Sequence, residues 1–191
     1  MTELDPWREL SSALISDALN RFQVMDPALR PLVGTRLLGR AWTARTMAAE
    51  NSTIQRAIDT ATAGSVLVID AGGYLGRAVW GSINTAKALS RGLAGVILDG
   101  ASRDIETIRE LGFPMFARGL SAAGPNKGWD GDVGETICCG GVTVQPGDLV
   151  LADPDGIVVV PQELEDAVLP AATQRLTEDR QRLTQALNHS E

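Results

Sequence analysis

Two short apolar runs separated by a helical segment constrain the fold of this chain more than any other feature. Residues 65–70 read Ser-Val-Leu-Val-Ile-Asp and residues 94–98 read Ala-Gly-Val-Ile-Leu, so neither run is interrupted by a polar residue before its end. Strands buried on both faces have this composition. Residues 78–90 have helical composition and end shortly before Gly92. The pattern predicts a parallel βαβ unit with a right-handed crossover, and therefore an α/β fold.

The segments before residue 118 add further helices and strands to this unit. Apolar residues at helical spacing predict helices, and runs of β-branched or aromatic residues predict strands. The additional predicted elements are helices over 7–22, 51–61 and 104–111 and strands over 35–47 and 113–117.

The last third of the chain changes character twice. Residues 119–134 are rich in Gly, Ser, Pro and Asn, which predicts a long loop. Three apolar runs follow, beginning at Val142, Leu149 and Ile157, and the turn residues between them predict a C-terminal β-meander. From Pro161 onward the pattern is helical, and we expect Pro170 to kink or break the helix.

Composition and charge exclude several classes of protein. The 191 residues are 44% apolar and 21% charged, which is typical of one globular domain spanning 1–191. The net charge is −7 and no block of Lys and Arg is present, so we expect neither a nucleic acid nor a membrane as partner. The first residues lack the basic and apolar regions of a signal peptide, which predicts a cytoplasmic location.

Few side chains are available for familiar catalytic mechanisms. The only histidine is His189, close to the C-terminus, which argues against Ser–His and Cys–His catalysis. Cys138 and Cys139 are adjacent and are predicted to be reduced thiols, because neighbouring cysteines rarely satisfy disulfide geometry. Lys87 and Lys127 are the only lysines, and Lys87 is predicted to be solvated on a helix.

Two segments are candidates for binding a ligand. Residues 80–84 read Trp-Gly-Ser-Ile-Asn and open a helix, whose free backbone N–H groups either bind a carboxylate or phosphate or form an ordinary N-cap. Residues 99–104 follow the second buried strand and end in Arg103 and Asp104. An arginine can clamp a carboxylate and an aspartate can hold a hard cation, although a helix-capping salt bridge is the alternative interpretation.

Together these segments resemble the RraA-like family, which includes 4-hydroxy-4-methyl-2-oxoglutarate aldolases with oxaloacetate decarboxylase activity and regulators of ribonuclease E. The resemblance runs from about Gly39 to Val160 and covers the motifs around Gly81, Arg103, Phe113 and Gly141. It implies a swivelling β/β/α three-layer domain, assembled as a homotrimer or a dimer of trimers. The helical segment 162–191 is then expected to pack on a neighbouring subunit.

The resemblance also implies roles for individual residues. Arg103 and Asp104 are the expected catalytic residues, with Arg103 binding a small 2-oxo acid and Asp104 holding Mg²⁺ or Mn²⁺. The substrate carboxylate is expected to accept hydrogen bonds from the backbone amides of Gly81, Ser82, Ile83 and Asn84. The implied activity is a metal-dependent lyase that releases pyruvate from 2-oxo dicarboxylic acids such as oxaloacetate.

One position departs from the aldolase pattern. The family's enzymes carry an Asp twenty-one positions before the Arg of the Arg-Asp pair, and this chain has Ser82 there. In the aldolases that carboxylate helps to hold water on the metal, so its loss bears on proton transfer and metal affinity. Glu178 or Asp179 of a neighbouring subunit is a candidate for a further acid. The alternative function is a non-catalytic regulator that binds a ribonuclease.

Overall fold

The computed structural model describes residues 3–188, in which strands form the centre and helices cover them. The strands are β1 (Arg30–Val33), β2 (Leu37–Arg45), β3 (Val66–Asp70), β4 (Ala78–Trp80), β5 (Gly95–Ser102), β6 (Met115–Leu120), β7 (Asp132–Val133), β8 (Ile137–Cys139), β9 (Val142–Val144), β10 (Leu149–Ala152) and β11 (Ile157–Val160). The α-helices are α1 (Ser12–Ala18), α2 (Ser52–Thr60), α3 (Ser82–Ser90), α4 (Ile105–Leu111) and α5 (Glu165–Asn188). Single turns of 3₁₀-helix lie at Asp5–Trp7 and Gln162–Leu164.

The order of the strands confirms the predicted parallel core. The main sheet runs β1-β6-β5-β3-β2-β10-β11, with β4 beside β5 and β7 beside β2. The central strands β6, β5, β3 and β2 are parallel, and Val68 of β3 lies between Thr43 of β2 and Ile97 of β5. The strands at both edges are antiparallel to their neighbours. The carboxyl ends of the parallel strands meet at one edge, where ligands of open α/β sheets bind.

Burial on both faces explains the uninterrupted apolar run of β3. Leu67 and Ile69 pack with helices α2, α3 and α4, whereas Val66 and Val68 pack on the opposite face with the β8–β9 hairpin and the segment around Met25. A third cluster places α1 and α5 against the outer face of β10 and β11. The sheet therefore has apolar layers on both faces, and the α/β prediction with a C-terminal helix is confirmed.

The first helix is shorter than the predicted 7–22. It covers only Ser12–Ala18, because the Ser11 side chain caps its first turn by accepting a hydrogen bond from a backbone amide. At its other end Asn20 and Arg21 have positive φ, a conformation that cannot continue a right-handed helix.

The helix predicted over 78–90 begins at Ser82 in the structure, four residues after the predicted start. Ala78–Trp80 instead forms β4, which pairs with Ala101 and Ser102 of β5, so that β5 also extends beyond the predicted end at residue 98. The sequence contains no break within 78–90 other than Gly81, and the structure uses that glycine as the boundary between β4 and α3.

The C-terminal strands pair differently from a simple meander. Strands β10 and β11 form the predicted antiparallel hairpin, but β9 pairs with β8, and the other neighbour of β10 is β2. The turn at Gly147 and Asp148 accounts for this path, since both residues hydrogen bond to the backbone of Ala41 in β2.

Helix α5 continues through Pro170, so the predicted break is wrong. The proline removes one backbone hydrogen bond from the helix, and buried Val168 and Ala172 on either side anchor the segment. No helix within residues 3–188 is long and apolar enough to cross a lipid bilayer.

Asp153 joins α1 to the β10–β11 hairpin, which makes it a test of this packing. Its buried carboxylate accepts hydrogen bonds from the Ser12 amide at 2.7 Å and the Ser12 hydroxyl at 2.6 Å. We expect Asp153→Ala to lower the free energy of unfolding by about 2–4 kcal/mol, measured by urea denaturation, because buried donors lose their acceptor. Asp155→Ala, at an exposed position of the same turn, should cost about 0.5 kcal/mol or less. Equal losses would contradict this role of Asp153.

Candidate functional site

Arg103 and Asp104 lie at the junction between β5 and α4, at the carboxyl edge of the parallel strands. The Arg103 amide donates to the Trp80 carbonyl of β4 at 3.1 Å, which fixes the backbone there. Asp104 adopts the left-handed conformation, with φ of 58° and ψ of 36°. Few residues other than glycine adopt it, and such positions cluster at functional sites. Both side chains are about two-fifths exposed, at 44% and 41%.

The Asp104 carboxylate faces the start of helix α3. Its Oδ2 accepts hydrogen bonds from the Ser82 amide at 3.2 Å and the Ser82 hydroxyl at 3.0 Å, and it lies 3.9 Å from Arg103 Nε. A negative charge at a helix N-terminus is favourable because it meets unpaired N–H groups. Within residues 3–188 the other oxygen, Oδ1, makes no hydrogen bond, so it remains available to a ligand.

Gly81 allows these groups to approach the start of α3. A Cβ atom at position 81 would lie 2.9 Å from Asp104 Oδ2 and 3.3 Å from Arg103 Cγ. Its φ of −170° is ordinary extended backbone, so the glycine is needed for close approach rather than for its conformation.

Ile83 and Asn84, the next two residues of the predicted run, have backbone amides rather than side chains available to a ligand. The buried Asn84 side chain donates to the Val79 carbonyl at 3.3 Å, and its Oδ1 accepts a hydrogen bond from Nε2 of the Gln55 side chain. The Ile83 side chain is 70% exposed. Because both residues lie in the first turn of α3, their amides lack acceptors within the helix. Lys87 is exposed, as predicted, and donates to Gln55.

Two hollows flank the Arg103-Asp104 pair. The inner cavity has a volume of about 60 Å³ and is lined by Asn51, Gly81, Asn84, Arg103, Asp104 and Pro125, among others. The outer groove, of about 250 Å³, is lined by Arg103, Asp104, Ile105, Leu120 and Ser121, among others. A larger cavity of about 660 Å³ lies beside Arg40, but that guanidinium already pairs with Glu3 and Glu165. The inner cavity combines helix-start amides that lack acceptors within the helix with an arginine whose only acidic neighbour among the described residues, Asp104, lies 3.9 Å away. This combination suits the anionic end of a small ligand.

Comparison with known proteins assigns this chain to a family. The model of the RraA-like family, described as Aldolase/RraA, matches residues 12–159. The chain belongs to the aldolase/RraA family. It is 36% identical over 177 residues to a protein of Halalkalibacterium halodurans named "Putative 4-hydroxy-4-methyl-2-oxoglutarate aldolase", covering 92% of this chain and 84% of that one.

Two solved structures confirm that the fold is that of the RraA-like family. The RNA-processing inhibitor RraA from Thermus thermophilis is 30% identical with a TM-score of 0.73, and the match covers 79% of this chain and 92% of that one. An uncharacterized protein from Pseudomonas syringae is 31% identical with a TM-score of 0.82, and the match covers 98% of this chain and 92% of that one. The resemblance found in the sequence is therefore confirmed at the level of family and fold.

The site of this aldolase/RraA chain contains one carboxylate, that of Asp104, with an oxygen that makes no hydrogen bond within the described residues. Within the described part of the chain, no three His, Cys, Asp or Glu residues are placed to hold a metal together. Mg²⁺ is commonly bound through one or two carboxylates, with water and substrate oxygens completing its shell. The free Oδ1 of Asp104 fits that manner of binding, in which most ligands come from outside the chain.

The structure places Glu178 and Asp179 on α5, which packs against α1 and the hairpin of β10 and β11. Glu178 accepts a hydrogen bond from Gln174 at 2.8 Å, and Asp179 lies 3.7 Å from Arg182. Their predicted entry into a neighbouring subunit's site stays a prediction. His189 lies outside the described residues. Cys138 is exposed and Cys139 buried, and both are free thiols, as predicted.

Sequence reasoning missed a partly buried ion-pair network that involves Arg118 of β6. Arg118 Nε donates to Asp99 at 2.5 Å and its Nη1 donates to Asp26 at 2.8 Å, while the Gly140 amide donates to Asp99 at 2.9 Å. Hydrogen bonds from the Ala28 amide and Arg118 lower the pKa of Asp26. Both Asp99 oxygens are engaged, so the network joins β5, β6 and the N-terminal segment rather than offering a ligand group. No spacing in the sequence relates position 26 to positions 99 and 118.

Glu50 holds the backbone just before α2, beside the inner cavity. Its contribution to stability depends on its ionisation and can be tested by changing the pH. It is 1% exposed and accepts from the Ser52 amide at 2.7 Å and the Thr46 hydroxyl at 3.0 Å. Burial opposes ionisation, but hydrogen bonds from Ser52, Thr46 and Thr53 outweigh it and lower the pKa of Glu50 below its ordinary value of 4.5.

A carboxyl group whose pKa is lowered by folding stabilises the protein above its unfolded pKa and loses that effect as pH falls through the folded pKa. We expect Glu50→Gln to cost about 1–3 kcal/mol of unfolding free energy at pH 7. The gap between wild type and variant should narrow steadily below pH 4.5. Denaturant titrations between neutral and acidic pH measure it, and a gap that stays constant would contradict the assignment.

Proposed function

We propose that this chain is a divalent-metal-dependent lyase that releases pyruvate from small 2-oxo dicarboxylic acids. The observation that carries the proposal is the position of the Arg103 guanidinium and the free Asp104 Oδ1 beside the first turn of α3. An arginine and unpaired amides recognise a carboxylate, and an aspartate oxygen recognises a hard cation. The name of the Halalkalibacterium halodurans relative supports the same class of reaction.

The substrate would bind through its 2-oxo acid end. Arg103 and the amides of Ile83 and Asn84 hold its carboxylate in the inner cavity, which turns the 2-oxo oxygen toward Asp104. Asp104 would hold Mg²⁺ or Mn²⁺, which when bound supplies Lewis-acid stabilisation of the negative charge that develops on the 2-oxo oxygen as the C3–C4 bond breaks. Ser82 orients Asp104 by donating two hydrogen bonds to its Oδ2. Arg103 neutralises the remaining negative charge of the bound acid.

Ser82 favours decarboxylation over aldol cleavage. A retro-aldol reaction begins with removal of a hydroxyl proton, whereas loss of carbon dioxide from a 2-oxo dicarboxylate requires no base. The Ser82 hydroxyl donates a hydrogen bond to Asp104, and a hydroxyl is a poor base. We therefore propose oxaloacetate as the better substrate and 4-hydroxy-4-methyl-2-oxoglutarate as the poorer one.

The proposed assembly is a homotrimer or a dimer of trimers, with 162–191 packed on a neighbouring subunit. Leu183 and Leu187 on α5 are 62% and 67% exposed, and they are the apolar side chains that such packing would bury. We place the reaction in the cytoplasm, because the adjacent thiols of Cys138 and Cys139 are characteristic of a reducing compartment.

Replacing Arg103 tests the proposed function directly. Purified wild-type protein with oxaloacetate and Mg²⁺ should form pyruvate above the background of Mg²⁺ alone. Arg103→Ala should lower kcat/KM on the order of 100-fold, because the substrate carboxylate loses its cation. Arg109→Ala, which replaces an exposed arginine on the adjoining helix α4, is the matched control and should keep wild-type activity. Absence of pyruvate from wild type, or equal rates for Arg103→Ala, would refute the lyase.

Replacing Ser82 tests the role of the missing carboxylate. Ser82→Asp adds a second oxygen ligand beside Asp104 and should tighten Mg²⁺ about tenfold. It should also raise the rate of aldol cleavage relative to decarboxylation, because a carboxylate can accept the hydroxyl proton. Ser82→Asn has a similar shape without the charge and should do neither. Titration with Mg²⁺ and parallel assays with both substrates measure these effects, and an unchanged ratio of rates would contradict the argument.

The alternative function is a non-catalytic regulator that binds a ribonuclease. Ser82 supports it, because the chain lacks a carboxylate that the aldolases use, and the Thermus thermophilis structure is titled an RNA-processing inhibitor. This alternative requires a complex between the purified chain and a ribonuclease of the E type in analytical ultracentrifugation, together with no metal-dependent pyruvate formation.

A further inference from the structure

The segment 121–128 passes beside the inner cavity, which its residue Pro125 lines, and backbone hydrogen bonds hold it at three positions. On one side the Ser121 amide donates to the Ser102 carbonyl at 2.9 Å, and the Ala78 amide donates to the Ala123 carbonyl at 2.8 Å. On the other side the Asn126 amide donates to the Ala49 carbonyl at 2.7 Å. We call residues 121–128 the strap; it is fixed to β5, to β4 and to the residues preceding α2.

The Arg103 guanidinium lies directly under the strap. A Cβ atom at position 124 would lie 2.7 Å from Arg103 Nη1 and 3.5 Å from Cζ, so only a glycine leaves room for the guanidinium. Gly124 does not have a positive φ, so the left-handed conformation that favours glycine does not explain a glycine here. The glycine is present for clearance.

The Arg103 guanidinium donates no hydrogen bond to any group within residues 3–188. Its nearest acidic oxygen there is Asp104 Oδ2, 3.9 Å from Nε, which exceeds hydrogen-bond distance. Packing against the strap on one side and against Gly81 on the other therefore sets its place, and apart from the long ion pair with Asp104 its N–H groups have no partner in the described part of the chain. Pro125, the next residue of the strap, lines the inner cavity beside Arg103.

We propose that Gly124 is a positioning residue, which seats the Arg103 guanidinium beside the inner cavity so that it meets the carboxylate of a 2-oxo acid. The assignment of that ligand rests on the proposed function. A side chain at position 124 would push the guanidinium away, and because this is the free end of a flexible side chain, the fold should bear the change at little cost.

Gly124→Ala is the test, with Gly156→Ala as the matched control, since a Cβ at position 156 meets no atom within 4 Å. We expect Gly124→Ala to raise KM for oxaloacetate on the order of tenfold with kcat nearly unchanged, because binding of the carboxylate is lost equally from ground and transition states. Its thermal unfolding midpoint should stay within about 2 °C of wild type. Gly156→Ala should match wild type in all three quantities.

A second measurement separates this inference from the proposed function. The NMR resonance of the Arg103 Nε–H group, assigned by its loss in Arg103→Lys, should shift in Gly124→Ala and not in Gly156→Ala. If wild type forms no pyruvate while that shift is present, the lyase fails and the positioning contact stands. An unshifted resonance, or a KM equal to that of wild type, overturns the role of Gly124.

Discussion

Burial of the parallel strands on both faces is the constraint on which the rest of the structure depends. Leu67 and Ile69 of β3 pack under the helices, and Val66 and Val68 pack under the β8–β9 hairpin. Neither face of the strand is therefore in contact with solvent. Parallel strands also require crossover helices, and these return the chain so that every parallel strand ends at the same edge. That edge brings the β5–α4 junction against the start of α3.

The site uses few groups, and one of them has two roles. The Oδ2 atom of Asp104 caps α3 through Ser82, while Oδ1 has no hydrogen-bond partner in the described part of the chain. The cap holds the carboxylate at the helix start without occupying the oxygen that a cation needs. Arg103 is placed by packing between Gly81 and Gly124 and by a long ion pair of 3.9 Å with Asp104, and its N–H groups make no hydrogen bond within the described residues, so they can serve an anionic ligand. A chain with net charge −7 can thus bind an anion through a local cationic pocket.

The sequence predicted the core well because local composition decides it. The apolar runs of β3 and β5 and the order of the crossovers needed no long-range information. Features set by partners distant in sequence were not predictable: Ala78–Trp80 is a strand only because β5 lies beside it, and β9 leaves the expected meander because β8 pairs with it. The proposed role of Gly124 was not predictable for the same reason. It lies in a segment with the composition of an ordinary loop, and its role depends on the Arg103 guanidinium, which is distant in sequence and packs against it.

The central claim is that Arg103, Asp104 and the first turn of α3 form one site for a cation and a carboxylate. A crystal structure of the protein grown with Mn²⁺ and oxalate, with anomalous diffraction at the manganese edge, tests it most directly. The account predicts a manganese peak beside Asp104 Oδ1 and an oxalate carboxylate within hydrogen-bond distance of Arg103 and the Ile83 and Asn84 amides. Manganese bound elsewhere, or oxalate away from Arg103, would contradict it.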